Sequence, residues 1–189
     1  IIPGNHDDRS TLRVAFDERA YPAGYQEFSN YVIDDFDVRL IAMDSTIPGA
    51  PGGKICSTRA AWLDEQLSEE NHQPTVIFMH HPPVMCGVLE TDMDGFIGAD
   101  LLGAVVGKYK NIESILCGHI HLPIHVRWQG TVVSTVPSIG MQLGLDLTLT
   151  RPSEFTLEAP AYQLHYWTPY NNLVTHTVYI REIDGPYPF

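Results

Sequence analysis

The stretch IESILCGHIH, residues 112–121, joins an apolar run to two histidines that stand two positions apart. Its first part, Ile112 to Cys117, has the composition of a strand that is buried on both faces of a parallel sheet. If the chain continues extended, His119 and His121 point to the same side of the backbone, and Gly118 allows a sharp bend behind them. The pattern is typical of a metal-binding loop, although a structural pair of histidines in a tight turn would show it too.

A second apolar run ends in the same way. Residues Thr75 to Met79 have the pattern of a buried strand, and His80-His81-Pro82-Pro83 follows directly. Because proline cannot continue a hydrogen-bonded ladder, His80 is expected where this strand opens into a loop. A third polar cluster, Asn5-His6-Asp7, follows the strand-like tail Ile1-Ile2. Loops at the carboxyl ends of neighbouring strands meet in one crevice, so the three clusters are expected to converge.

The donors in these clusters are imidazole nitrogens and the amide oxygen of Asn5. This donor set suits borderline divalent metals such as Fe, Mn, Zn or Co and requires no thiolate. The sequence therefore predicts a divalent-metal site formed by three loops. Asp44 closes another strand-like run and could approach this site, but its spacing does not mark it as a ligand.

The composition narrows the class of protein. A chain of 189 residues that is 44% hydrophobic and 18% charged is expected to form one globular domain. A net charge of −12 argues against a nucleic-acid polymer as partner, because phosphate binding needs a basic face. No apolar run reaches the roughly 18 residues of a membrane span, and the N-terminus has no signal-peptide pattern, so no membrane partner is expected.

The three cysteines, Cys56, Cys86 and Cys117, are odd in number and lack a Cys-x-x-Cys spacing. They favour free thiols in a reducing compartment, so a cytoplasmic protein is expected. A small buried apolar residue is the simpler interpretation of each cysteine.

The remaining periodicities predict an α/β fold. Helical spacing occurs in residues 10–19, 57–70 and 98–109, with Ser10 and Ser57 as expected N-caps. Further strand-like runs occupy residues 30–34, 38–44, 124–128, 131–135, 162–167 and 173–180. Residues 138–160 show weak periodicity and many loop residues. We therefore expect a core over 1–137 and a second part over 138–189, with an irregular excursion and a final hairpin that form a cap or a subunit contact.

The polar clusters together carry a family resemblance. Gly4-Asn5-His6-Asp7, His80-x-Pro82 and Gly118-His119-x-His121, in this order and at these separations, resemble the calcineurin-like metallophosphoesterase superfamily. The runs at 78–83, 160–165 and 174–177 look most like those of bacterial cyclic-nucleotide and glycerophosphodiester phosphodiesterases. The resemblance covers essentially the whole chain. It implies a metallophosphoesterase β-sandwich flanked by helices and a phosphodiesterase that uses two divalent metal ions.

Carried over by position, the resemblance assigns the metal ligands. Asn5, His80 and His119 would bind one ion, and His121 would bind the other. His80 is chosen over His81 because the family pattern places a histidine two residues before a proline. His81 is expected to pack beside the site.

The resemblance also assigns catalytic roles. His6 would lie beside the substrate phosphate, where it donates a proton to the leaving alkoxide or stabilises charge, and Asp7 would orient His6. The family also uses an Asp-x-His and a Gly-Asp motif upstream, and neither occurs in these residues. The chain therefore looks like a family member without its first strands, and the isolated chain is expected to turn over phosphodiesters poorly.

Three functions stay open at this level. The first is a phosphodiesterase that hydrolyses small phosphodiesters by a metal-bridging hydroxide. The second is a phosphomonoesterase or nucleotidase of the same superfamily, and the third is a metal-binding module without catalysis. The aromatic tail, including Tyr162, Tyr166, Trp167 and Tyr170, could line a substrate pocket, but hairpin core or a subunit contact is the favoured interpretation, so a homo-oligomer is among the expected partners.

Overall fold

The computed structural model describes residues 1–16, 27–182, 184–185 and 187–188. The helices are α1 (Arg9–Ala15), α2 (Ser57–Glu69), α3 (Leu89–Asp94) and α4 (Ala99–Val106). The strands are β1 (Tyr31–Ile33), β2 (Arg39–Met43), β3 (Gly53–Lys54), β4 (Thr75–Met79), β5 (Phe96–Ile97), β6 (Ile112–Cys117), β7 (His125–Trp128), β8 (Thr131–Thr135), β9 (Gln142–Leu143), β10 (Phe155–Thr156), β11 (Ala161–Trp167) and β12 (Leu173–Tyr179).

The centre of the fold is a six-stranded sheet with the strand order β1-β2-β4-β6-β8-β7. Strands β2, β4, β6 and β8 are parallel to one another, whereas β1 pairs antiparallel with β2 at one edge and β7 pairs antiparallel with β8 at the other. Met79 at the end of β4 pairs with Cys117 at the end of β6. The two strands that precede the histidine loops are therefore adjacent and end together, as the sequence predicts.

Helices α2 and α4 cover one face of this sheet. Ile41, Ile77 and Ile115 lie on that face without solvent exposure, and they pack with Leu63 of α2 and Leu102 of α4. These side chains belong to one continuous apolar core, which fixes the parallel strands in register.

The starts of two helices differ from the sequence predictions. Asp8, not Ser10, is the N-cap of α1, and its carboxylate accepts the amide hydrogen of Thr11. Cys56 is the N-cap of α2, and Ser57 is its first helical residue. Asp and Ser are both favoured at the N-cap position, so neither residue type alone decides where a helix begins. Sequence therefore places helix ends only to within one or two residues. The predicted end of the first helix at Arg19 lies outside the described residues.

The β11–β12 hairpin covers the other face of the sheet. The Gln163 side chain donates a hydrogen bond to Ser134 Oγ at 3.0 Å, which ties β11 to β8. A cavity of about 500 Å³ separates the hairpin from the sheet, with Phe78 and Leu116 on one wall and Trp167 on the other. The mixed α/β architecture is therefore confirmed, and in the described part of the chain the layer opposite the helices is this hairpin.

Residues 138–160 connect β8 to the hairpin with little regular structure, as expected. Their strands are two residues long, β9 paired with β10. The division of the chain after residue 137 stays a prediction. Over the described ranges, none of the helices combines the length and apolarity needed to cross a membrane. Cys56, Cys86 and Cys117 are free thiols.

Candidate metal centre

Three loops meet at the carboxyl ends of β4 and β6. Asn5 Oδ1 lies 2.9 Å from His80 Nε2, although the two residues are 75 positions apart. The ring centroids of His80 and His119 are 5.2 Å apart. Candidate ligand atoms of His80, His81 and His119 all lie within 4.8 Å of one another. The convergence predicted for the three polar clusters is therefore present for Asn5, His80 and His119.

A tight turn presents Asn5 and His6 to this centre. The Asp7 amide donates to Gly4 O at 3.1 Å, and the Asp7 carboxylate accepts the Gly4 amide at 2.8 Å. A Cβ atom at Gly4 would lie 2.9 Å from His80 Cε1, so only glycine lets the backbone approach the imidazole this closely. Asp7 therefore shapes the turn that carries His6, and a direct role in orienting the His6 ring stays a prediction.

The second histidine loop is not extended. His119 and His121 have φ angles of 68° and 55°, which lie in the left-handed region that few residues other than glycine adopt. Between them, the Ile120 amide donates to Gly118 O at 2.7 Å. The Ile120 side chain is fully buried against Cys86 and Val88. The chain is therefore not extended here, as the i, i+2 argument assumed, but turns around the buried Ile120 side chain. A shared direction of the two imidazoles stays a prediction.

His81 is engaged on both ring nitrogens. Its Nε2 lies 3.0 Å from Pro51 O, a carbonyl that can only accept, so Nε2 carries the proton. Its Nδ1 then accepts from Ser45 Oγ at 2.9 Å, and Ser45 Oγ accepts the His81 amide at 3.1 Å. His81 lies in the histidine cluster, but both of its ring nitrogens are satisfied by protein atoms. This agrees with its expected packing role.

Burial keeps the clustered imidazoles neutral. Desolvation, reinforced by the charges that His81, His119, His121 and His6 would carry, lowers the pKa of His80 to about 3. Desolvation and the neighbouring His119 lower the pKa of His81 to about 4. Desolvation also lowers the pKa of His119. A neutral imidazole offers a lone pair, so His80 and His119 with the Asn5 oxygen fit a borderline divalent cation.

Two cavities adjoin the cluster. One of about 270 Å³ is lined by Asn5, His6, Arg9 and the loop 46–49. The other, of about 220 Å³, is lined by His119 together with the 81–85 loop and Phe96. The centre therefore has open space on the Asn5 side and on the His119 side.

Sequence reasoning missed the residues behind the centre. Asp44 is fully buried and forms an ion pair with Arg9, with Arg9 Nε 2.5 Å from Asp44 Oδ2. Burial opposes ionisation of Asp44, but hydrogen bonds from Arg9, Thr46 and Ser29 outweigh it and lower the pKa of Asp44 below its ordinary value. In the sequence, only the position of Asp44 directly after a strand-like run marked this residue as notable. That position does not indicate Arg9 as its partner.

The chain is thus a mixed α/β protein that gathers an amide oxygen and imidazoles, a donor set suited to a divalent metal, at the carboxyl edge of its sheet. The model of the family described as "Calcineurin-like phosphoesterase" matches residues 1–123 of the chain. The chain therefore belongs to the calcineurin-like phosphoesterase family. A dimetal phosphatase from Danio rerio shares this fold, with a TM-score of 0.50 and 12% identity over 82% of this chain and 59% of that one.

Curated relatives are similar over most of the chain. "Probable glycerophosphodiester phosphodiesterase GpdQ" of Arcobacter nitrofigilis is 38% identical over 190 residues, which cover 100% of this chain and 69% of the relative. "Glycerophosphodiester phosphodiesterase GpdQ" of Enterobacter lignolyticus is 31% identical over 93% of this chain and 65% of its own length. "3',5'-cyclic adenosine monophosphate phosphodiesterase CpdA" of Escherichia coli K12 is 27% identical over 75% of this chain and 50% of its own length. The chain thus spans 50% to 69% of these relatives.

Proposed function

We propose that this chain carries the metal centre of a phosphodiesterase that hydrolyses small phosphodiesters, either cyclic nucleotides or glycerophosphodiesters. The observation that carries the proposal is the meeting of Asn5 Oδ1 and His80 Nε2 at 2.9 Å beside His119, because it joins donors from three separate loops. The names of the relatives, which are glycerophosphodiester and cyclic AMP phosphodiesterases, support the substrate class.

Asn5, His80 and His119 would hold one divalent ion, and His121 would contribute to a second. Iron, manganese, zinc and cobalt are the candidates for these ions. A bound ion would supply a Lewis acid and an activated water at this place. Its positive charge would also offset the −12 net charge of the chain for an anionic substrate.

His6 is the proposed proton donor to the leaving alkoxide. It lines the cavity of about 270 Å³ next to Asn5, where an ester group of the substrate has room. The Asp7 carboxylate fixes the Gly4 amide and so sets the direction in which the turn presents His6. Proton donation at the departing oxygen is the chemistry that an exposed imidazole can supply at this position.

The two cavities favour a diester over a monoester. A phosphodiester has two groups on phosphorus, and one cavity adjoins Asn5 and His6 whereas the other adjoins His119. The test compares turnover of bis(p-nitrophenyl) phosphate with that of p-nitrophenyl phosphate by the Mn²⁺-loaded protein, with His80→Ala as the inactive control. We expect the diester to be the better substrate. A clear preference for the monoester would contradict the proposal and favour a phosphomonoesterase or nucleotidase.

Self-association is part of the proposal. Along β11, Tyr162, Leu164 and Tyr166 alternate with residues that face the sheet, and they are about half exposed. Their partners on β12 include Val174 and Val178, so the outward side of the hairpin is largely apolar. An apolar sheet face of this kind is suited to a second copy of the chain.

A further inference from the structure

Three residues after β2, Asp44-Ser45-Thr46, lie behind the candidate metal centre, and we call them the β2 tip. Asp44 and Ser45 have no solvent exposure, and Thr46 is 5% exposed. Their side chains are polar in a position where the neighbouring strand residues are apolar. Each therefore needs a partner. Thr46 Oγ1 donates to Asp44 Oδ1 at 2.7 Å within the β2 tip, and Asp44 and Ser45 each also bond one of the two loops that supply Asn5 and His80.

Asp44 contacts the loop that supplies Asn5. Arg9 Nε lies 2.5 Å from Asp44 Oδ2, and Arg9 Nη2 lies 3.1 Å from Asp44 Oδ1. Arg9 Nη2 also donates to Thr46 O at 2.9 Å. Arg9 is the first residue of α1 and follows Asn5 by four positions. Because the guanidinium binds the carboxylate through two nitrogens, the contact fixes both distance and orientation of the turn.

Ser45 contacts the loop that supplies His80. Its Oγ accepts the His81 amide at 3.1 Å and donates to His81 Nδ1 at 2.9 Å. The opposite ring nitrogen of His81 donates to Pro51 O at 3.0 Å. His81 is thus held at its backbone and at both ring nitrogens, and the adjacent His80 has little freedom to move relative to β2.

A second arginine braces the β2 tip itself. Arg59 of α2 is 3% exposed and donates from Nη1 to Asp44 O at 2.7 Å. Its guanidinium lies 4.3 Å from the centroid of the Phe28 ring, and the Arg9 guanidinium lies 5.5 Å from the same centroid. Buried ion pairs of this kind contribute little net stability, and a role in fixing one geometry is the better explanation.

We propose that the β2 tip sets the relative position of the two ligand loops, with Asp44 acting through Arg9 on Asn5 and Ser45 acting through His81 on His80. This inference rests on the proposed function, because it takes Asn5 and His80 as ligands of one metal ion. Asp44 and Ser45 are positioning residues, since neither side chain contacts the Asn5 or His80 donor atoms.

The test measures Co²⁺ affinity by the absorption of the bound ion in wild type, Asp44→Asn, Ser45→Ala and Asp64→Asn. Asp64→Asn is the matched control, because Asp64 also bonds a cation, Lys108 at 2.7 Å, but on the helical side away from the histidines. Loss of a residue that orients a ligand typically weakens metal binding about 10- to 100-fold. We expect at least about a tenfold increase in Kd for Asp44→Asn and Ser45→Ala, and an unchanged Kd for Asp64→Asn.

A double-mutant cycle tests the route through Arg9. If Asp44 acts through Arg9, Asp44→Asn combined with Arg9→Gln weakens Co²⁺ binding no more than the stronger single substitution. Independent, multiplicative losses would overturn this route. Side-chain ¹⁵N spectra provide a second readout, in which Ser45→Ala is expected to shift the His81 Nδ1 resonance, because Nδ1 loses its hydrogen-bond donor while Nε2 keeps its bond to Pro51 O. An unchanged Nδ1 resonance would count against the Ser45 arm.

Each outcome separates this inference from the proposed function. If the wild-type protein does not bind Co²⁺, the proposed metal centre itself fails. If wild type binds Co²⁺ and both β2-tip variants bind it equally well, the centre stands and the positioning role is wrong. Should Asp44→Asn not fold, Ser45→Ala decides alone, because it removes a single oxygen atom and leaves the buried ion pair intact.

Discussion

His80 and His81 are adjacent in sequence and differ in what their ring nitrogens contact. His80 Nε2 faces the side-chain oxygen of Asn5, a second candidate ligand. The two ring nitrogens of His81 are taken by Ser45 and Pro51. These hydrogen bonds support His80 over His81 as the proposed ligand, whereas distance to His119 does not distinguish the two, because both rings approach it.

Substitution of each histidine should separate these roles. We expect His80→Ala to reduce phosphodiester turnover by at least about 100-fold, because a ligand is lost. His81→Gln should reduce it by about tenfold at most, because the residue 81 amide keeps its bond to Ser45 Oγ and excess Mn²⁺ offsets a weaker affinity. Steady-state kinetics with Mn²⁺ in excess, together with metal content, measures both effects. Equal losses in the two variants would mean that His81 is also a ligand.

The clustered histidines should make the metal-free protein sensitive to mild acid. The pKa of His80 is about 3 and that of His81 about 4, against an ordinary value of 6.5. As the pH falls below about 6.5, the unfolded chain takes up protons that the folded protein excludes, so the free energy of unfolding falls. Each histidine contributes a loss of up to roughly 1.4 kcal/mol per pH unit.

Urea unfolding of the metal-free protein at pH 7.5, 6 and 5 measures this loss. His81→Gln removes one of the three clustered imidazoles whose pKa is lowered by burial, so its free energy of unfolding should depend less steeply on pH than that of wild type. His72→Gln, at an exposed position, is the control and should keep the wild-type slope. A His81→Gln slope equal to that of wild type would contradict the assignment of a depressed pKa to His81.

The turn from Gly4 to Asp7 is the element that brings the N-terminal loop against β4. Its closeness depends on the absence of a side chain at Gly4, where a Cβ atom would meet the His80 ring at 2.9 Å. Gly130 in the β7–β8 turn is glycine for another reason, because its φ is +90° and, among the described residues, nothing lies within 4 Å of an added Cβ.

These two glycines give a matched pair of variants. Gly4→Ala should push the His80 ring away from Asn5 and raise the Kd for Co²⁺ by about tenfold or more. Gly130→Ala should lower the free energy of unfolding by about 1–2 kcal/mol through its backbone conformation, with an unchanged Kd. Metal titration and urea unfolding of both variants check this. A wild-type Kd in Gly4→Ala would show that the contact with His80 is not needed.

The elements that sequence predicted well are those governed by local pattern. The β4 and β6 strands and the loops after them follow from apolar runs that end at proline or glycine. The turn at His119 and His121 was not predicted, because it depends on burial of Ile120 against residues of another loop. The contact between Asp44 and Arg9 was not predicted either. The two residues are 35 positions apart, and no local sequence pattern links them.

Across the whole molecule, the two faces of the central sheet are packed differently. On β6, Ile115 points to the helical face and is fully buried, and Leu116 points to the cavity of about 500 Å³ beneath the hairpin. A side chain that borders a cavity has fewer neighbours to lose when it is truncated.

Truncation of these adjacent residues should therefore cost different amounts. Ile115→Ala is expected to lower the free energy of unfolding by about 2–5 kcal/mol, as in other close-packed cores. Leu116→Ala should cost less than half as much. Equilibrium unfolding in urea measures both values. A cost for Leu116→Ala equal to that of Ile115→Ala would indicate that the hairpin face is as tightly packed as the helical face.

The outward side of the hairpin gives a prediction for assembly. If this side contacts a second copy, Leu164→Lys should shift the protein from dimer to monomer in light scattering coupled to size-exclusion chromatography. Leu157→Lys is the control, because Leu157 is 85% exposed and lies outside the hairpin. A wild-type protein that is already monomeric at high concentration would remove the proposed self-association.

The hydrogen bond between Asn5 and His80 also has a kinetic consequence. It closes a loop of 75 residues, and within that loop lie β1, β2, α2 and β4. Loop closure of this length is unfavourable until strand pairing has brought the ends together, so the ligand pair can form only late in folding. A metal ion that needs both residues will bind the folded chain in preference to the unfolded one, and it should then slow spontaneous unfolding and protect the protein from proteolysis.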